Sequence, residues 1–282
     1  MTVSCHFYDL FQIYDCLMAN PFSFSIFFTL SRITWHIIRG MLTLCLLFPF
    51  LSNEAKERQI QNWTRKLLAL LRIRMHLVNA DFFPKGPCLL VANHISWVDI
   101  QAILAFKPMR FVAKSEVAGW PLFGWMAIQL GTLFVLRDSA LHGRKVAQDM
   151  VPILQREPIC IFPEGTSTDG TVVLPFKTSL FEAAVLSNMP VSMVVIRYFR
   201  ETPNGLQPSC AAAFIGEMGL VESIFKILQA RPLLVVLEFL PIAPQGIDRK
   251  ALAEFTRNQI AAKFNEKLPN APKLGLLSST LR

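Results

Sequence analysis

The 282-residue chain predicts an α/β fold, a mostly parallel sheet flanked by helices and preceded by an N-terminal helical segment. Two observations predict it. Beyond Asp81, short apolar runs of β type alternate with stretches of helical periodicity. Before Asp81 the composition is of a different kind, nearly uncharged at first and then strongly basic.

Composition limits what the chain can be. Hydrophobic residues make up 52% and charged residues 17%, with a mean hydropathy of +0.40, too apolar for a disordered or fibrous chain and high enough to bring a membrane into consideration. The 28 Lys and Arg outnumber the 20 Asp and Glu, giving a net charge of +8. That balance favours an anionic partner, whether nucleic acid, phosphate or lipid headgroup. The six cysteines, Cys5, Cys16, Cys45, Cys88, Cys160 and Cys210, include no C-x-x-C pair, so a reducing compartment is expected, with neither disulfide nor zinc.

The first 51 residues carry four charges, Asp9, Asp15, Arg32 and Arg39. Their apolar stretches, 22–30 and 40–51, are each shorter than the roughly 20 residues that span a bilayer, and Arg32, His36 and Arg39 interrupt them. A helix that tilts, re-enters or lies in one leaflet is expected, and no cleaved signal peptide. Over residues 52–76, six bases (Lys56, Arg58, Arg65, Lys66, Arg72, Arg74) face two acids, while Ile60, Trp63, Leu67, Leu70 and Leu71 recur at helical spacing. Such a helix suits an anionic bilayer surface. It equally suits a surface helix docked on the core.

From residue 81 the strand candidates are 88–92, 110–113, 132–136, 159–162, 191–198, 211–216 and 233–240. Between them 97–106, 117–129, 140–155, 179–187, 221–229 and 249–266 read as helices. The domains expected are a membrane-associated preface over 1–80, an α/β domain over 81–268 and a tail over 269–282.

Two stretches can carry chemistry. His94 and Asp99 follow a predicted strand and lead into a helix. Five residues apart, they would stand about 140° apart on a continuous helix, so they can meet only if His94 precedes the helix and Asp99 lies in its first turns. Ser96 is a suitable N-cap for that start. A carboxylate on one imidazole nitrogen leaves the other free as a general base. A structural histidine at a strand end is the alternative. No metal is expected, because His6, His36, His76 and His142 offer no third ligand. The second stretch, 161–170, places Glu164 between Pro163 and Gly165 in a turn after a strand, where α/β folds bind ligands. It lacks the lysine of a phosphate-binding nucleotide loop. Lys177, before a predicted helix, could hold a phosphate.

Taken together these blocks resemble the glycerolipid acyltransferase family, typified by bacterial 1-acyl-glycerol-3-phosphate acyltransferases. Asn93-His94 with Asp99 is similar to the family's first block, 111–116 with 121–124 and 131–137 to its second, Phe162-Pro-Glu164-Gly165-Thr166 to its third, and the strand opened by Pro190-Val191 to its fourth. The resemblance implies an acyltransferase that needs no cofactor and takes acyl-CoA or acyl-carrier protein as co-substrate. His94 and Asp99 would be catalytic, and Lys114, Arg137, Glu164, Gly165, Thr166 and Lys177 would contact substrate. Either the turn amides around Gly165 or Lys114 would stabilise the oxyanion.

The acceptor implied is a lysolipid, first 1-acyl-sn-glycerol-3-phosphate, with phosphatidic acid as product. Thr168-Asp169-Gly170 after the Glu-Gly-Thr block instead resembles acyltransferases acting on lyso-ornithine lipid or other lysolipids. The family often carries Arg where this chain has Ser167, and Asp where it has Leu136. A lipid hydrolase and a non-catalytic membrane lipid-binding protein are the readings from other classes. The expected location is the cytoplasmic face of the inner membrane, on an anionic lipid surface. Nucleic acid is not an expected partner, since the positive charge lies beside the apolar preface and no groove-reading or stacking motif accompanies it.

Overall fold

The computed structural model describes residues 21–120, 122–136, 140–203 and 205–266. Helix α1 (Pro21–Leu46) and helix α2 (Asn53–Leu70) come first, followed by strand β1 (Ile73–Val78). Then follow β2 (Leu89–Ala92), α3 (Trp97–Phe106), β3 (Arg110–Lys114), α4 (Ser115–Ala118), α5 (Phe123–Gln129) and β4 (Leu133–Val135). The chain continues through α6 (Ala140–Leu154), β5 (Ile159–Ile161), α7 (Glu182–Ser187), β6 (Val191–Thr202), β7 (Gly205–Pro208), α8 (Leu220–Ala230), β8 (Leu233–Leu240) and α9 (Arg249–Asn265).

Seven strands run in the order β1-β8-β6-β2-β5-β3-β4, and β7 pairs with β6. β6 pairs antiparallel with both β8 and β7; all other neighbours are parallel. Alternation along each strand divides the core into two layers, because successive side chains point to opposite faces. Leu90, Ala92, Val194, Ile196, Val235 and Leu237 pack with residues of α1, α2, α3 and α8. Leu89, Val91, Val191, Met193 and Val195 pack with residues of α6, α7 and α9. The sheet is therefore flanked by helices on both faces.

Three expectations change. The helix read over 52–76 ends at Leu70, where Arg72 takes a left-handed backbone (φ 53°) and turns the chain into β1. Residues 73–78, within the stretch read as the preface, are thus a sheet strand paired with β8. The apolar stripe of α2 is spent inward, with Leu67, Leu68 and Leu71 buried in the core. Residues 211–216 form turns instead of a strand, and the helix read over 117–129 is two short helices with Leu122 at φ 64° between them.

α1 is a single helix of 26 residues. It docks through Ile26, Leu30, Ile33 and Ile37, spaced three and four apart. Among the described residues, no helix is long and apolar enough to cross a membrane.

Candidate active site

Strand β2 ends at Ala92 at the carboxyl edge of the sheet, and the loop 93–96 delivers the chain into α3. The Asn93 side chain fixes that exit by donating to Ile196 O (3.0 Å) and accepting from Ile196 N (2.7 Å), so that it continues the β2–β6 pairing. Ser96 caps α3, accepting from Val98 N at 3.2 Å. Asp99, the third residue of the helix, completes the capping box by accepting from Ser96 N (2.8 Å) and Ile95 N (2.7 Å).

The same Asp99 oxygen, Oδ2, accepts from His94 Nδ1 at 2.9 Å. A carboxylate on Nδ1 sets the tautomer and leaves Nε2 with a free lone pair. The side chain of Asp99 is fully buried and that of His94 is 21% exposed, so the imidazole alone meets solvent. The other carboxylate oxygen, Oδ1, accepts from Tyr198 Oη at 2.6 Å. Burial and the adjacent Asp99 charge push the Tyr198 phenol well above its usual range, so it stays a donor. One face of the His94 ring stacks on Phe162, centroids 4.1 Å apart, and Phe162 stacks in turn on Phe111. The ring therefore has a fixed plane as well as a fixed tautomer.

Glu164 is placed differently from its sequence reading. Oε1 accepts from His94 N (2.7 Å) and Oε2 from Leu174 N (2.8 Å), and the residue is only 5% exposed. It ties the 163–174 loop to the backbone of His94. Burial raises its carboxyl above the ordinary carboxylate value, against the two amide donors, which lower it. Because the folded pKa lies above the unfolded one, the native state binds this proton more tightly. The group's contribution to stability is therefore present at low pH and declines as pH rises from the unfolded pKa through the raised one.

Thr168 adds a second tie, donating from N (2.9 Å) and Oγ1 (3.2 Å) to His94 O. Gly165 N is occupied by Phe162 O at 3.0 Å, which removes that amide from the candidate oxyanion donors. Gly165 itself stands at φ 69°, and a Cβ there would come within 2.9 Å of Lys177 Nζ. Lys177, Thr166 and Gly165 thus share the rim of the loop, while Lys114 ends β3 on the same edge of the sheet. Ser167 turns inward and its hydroxyl donates to Phe214 O. Arg137 lies outside the described residues. Among the described residues, no cluster of His, Cys, Asp and Glu could hold a metal ion.

If Glu164 positions His94, Glu164→Gln lowers kcat by roughly 10-fold or more with little change in acceptor KM, since an amide can accept from only one of the two backbone donors. A raised KM with unchanged kcat would instead make Glu164 a contact to the acceptor. Tyr198 and the placement of Glu164 escaped the sequence reading. Tyr198 lies 99 residues from its partner and reaches Asp99 only through the register of β6.

A family model described as Acyltransferase matches residues 74–197. A lyso-ornithine lipid O-acyltransferase of Pseudomonas aeruginosa is 36% identical over 200 residues, covering 70% of this chain and 75% of its own length. A 1-acyl-sn-glycerol-3-phosphate acyltransferase of Neisseria meningitidis is 32% identical over 214 residues, covering 74% and 82%. The crystal structure of the 1-acyl-sn-glycerophosphate acyltransferase PlsC of Thermotoga maritima superposes with a TM-score of 0.57 at 19% identity, over 87% of this chain and all of that one. At that identity the superposition speaks for the fold.

Proposed function

The chain belongs to the glycerolipid acyltransferase family, whose members acylate lysolipids, and on that premise we propose that it moves a fatty acyl group from acyl-CoA or acyl-carrier protein to the free hydroxyl of a lysolipid. The observation that carries the reading is the His94–Asp99 pair, in which Nδ1 is taken by a buried carboxylate while the imidazole itself is partly exposed. His94 Nε2 takes the hydroxyl proton as that oxygen attacks the thioester carbonyl. Asp99 holds the ring and stabilises the imidazolium, which then returns its proton to the departing thiolate. No enzyme-bound acyl group is needed. Lys114 is the candidate donor to the tetrahedral oxyanion. Lys177 and Arg137 are the candidate contacts to the headgroup, with Gly165 and Thr166 shaping the acceptor's place and Glu164 holding the loop.

The acceptor we propose first is 1-acyl-sn-glycerol-3-phosphate, whose phosphate suits the lysine at the loop rim. A second reading, lyso-ornithine lipid, is favoured by Ser167, which stands where an arginine is common in the family and is tied to Phe214 O. The site would act at the cytoplasmic face of a membrane, where the acceptor need not leave the bilayer. Transfer of labelled palmitate from acyl-CoA and from acyl-carrier protein to each acceptor decides between them. Labelled phosphatidic acid supports the first, product from the ornithine lipid alone moves the headgroup, and free fatty acid without an acceptor indicates a hydrolase.

A further inference from the structure

Three bases that the sequence reading noted only as interruptions of an apolar run acquire a place in the fold. Arg32, Trp35, His36 and Arg39 recur at three- and four-residue spacing on α1. With Thr29 and Ser31 they form one wall of a groove of about 640 Å³, and Lys66, Ala69, Leu70 and Arg72 form the other. Four cations thus line one cavity, and none of its lining residues is an Asp or Glu. Among the described residues none of the four has a carboxylate partner within 4.0 Å.

The groove is a built feature. The His36 ring stacks on Trp63 with centroids 4.8 Å apart, Trp63 Nε1 donates to His36 O (3.1 Å), and His36 Nε2 meets Trp63 O (2.9 Å). Gly40 lets the helices close on this lock, since a Cβ there would fall 2.4 Å from Trp63 Nε1. Arg72 occupies the left-handed position after α2, where glycine is the cheap choice. Positive charge is concentrated beside this lock: burial, then Arg39 and Lys66, lower the His36 pKa against the Trp63 carbonyl bond that raises it, and burial, then Arg72, lower that of Arg231.

We propose that this groove binds the phosphate of an anionic membrane phospholipid, at a site that shares no residue with the acyl-transfer centre. Lipid is favoured over a free ion because the rim is apolar. Trp35 is 64% exposed and Phe27 and Phe28 on the same helix are 66% and 58% exposed, so a headgroup in the groove places these rings at the acyl-chain boundary. The topology adds a consequence. Ile73 pairs with Leu233 and Leu233 with Arg200 near the end of β6, which runs parallel to β2, so Arg72 stands on the same sheet edge as the His94 loop. A lipid held there turns the edge carrying His94 toward the bilayer.

The test is binding of the full chain to phosphatidylcholine vesicles with and without phosphatidylglycerol. A basic residue near an anionic surface is worth about fivefold in binding, so Arg39→Gln with Lys66→Gln should weaken the phosphatidylglycerol-dependent part by at least about tenfold. The charge-matched pair Arg58→Gln with Lys85→Gln, outside the groove, should change it by less than about threefold. Arg39→Lys with Lys66→Arg keeps the charge, should bind as wild type, and serves as the check that the positions tolerate substitution. Equal losses in both neutralised pairs would mean diffuse surface charge and overturn the site, as would no loss in either. Calorimetric titration with inorganic phosphate separates the sources. Saturable binding of that ion, lost with Arg39 and Lys66, would make the ligand a free phosphate and overturn the lipid assignment.

Discussion

His94→Ala lowers kcat for acyl transfer by about 10³- to 10⁴-fold while leaving the acceptor KM within a few-fold and the melting temperature nearly unchanged. The size follows from removing a positioned general base, which contributes up to about 10⁴. The unchanged KM follows because in the proposed reaction the ring meets the reacting hydroxyl rather than the headgroup. The preserved fold follows because the side chain is partly exposed and its backbone is held independently by Glu164 and Thr168. Steady-state rates with circular dichroism melting check all three parts. Loss of melting cooperativity alongside activity would place His94 among the structural residues.

Asp99→Asn combines two losses. The carboxylate serves four donors, Ile95 N, Ser96 N, His94 Nδ1 and Tyr198 Oη, and is fully buried. An amide has one acceptor oxygen, so either Tyr198 Oη or the three donors gathered on Oδ2 face an NH2 group. The one misdirected donor costs about 1–3 kcal/mol, and the three donors left on the amide oxygen lose their charge-assisted bonds, which together set a destabilisation of roughly 2–5 kcal/mol, readable in urea unfolding. The imidazole also loses the carboxylate charge that holds its tautomer and stabilises its cation, and kcat should fall by about 10²- to 10⁴-fold even where the protein is folded. Tyr198→Phe, which removes one donor and leaves the other three, should cost only about 1–3 kcal/mol. A variant of Asp99 that melts like wild type would contradict the four-donor arrangement.

The sequence was legible where a residue's neighbours in the chain are its neighbours in space. Ser96 as cap and Asp99 in the first turn follow from local rules, and those rules bring Nδ1 to Oδ2. The alternating apolar pattern likewise placed the strands that became β2, β3, β5, β6 and β8 to within a few residues. It failed at β1 because the helical spacing of α2 runs on without a glycine, and the turn is made by an arginine in a left-handed conformation. It failed at 211–216 because only Ala212 and Ala213 of that apolar run enter the core, while Ile215 is exposed and the backbone pairs outside the sheet. Phe214 N donates to Ile95 O and Phe214 O accepts from Ser167, so the backbone is satisfied by the active-site segments instead of a ladder. Glu164 was read as facing a ligand because an acid in a turn at a sheet edge commonly does. Nothing local shows that its oxygens are taken by amides of residues 94 and 174.

The proposed reaction is direct transfer to a lipid hydroxyl with His94 Nε2 as the base. A single-turnover reaction with acyl-labelled thioester and lysolipid, quenched in acid at successive times, tests it most directly. Each thiol released should be matched by one labelled diacyl lipid, no label should stay on the protein, and both products should vanish together in His94→Ala. Label trapped on the protein before diacyl lipid forms, or thiol release that survives in His94→Ala, would contradict it.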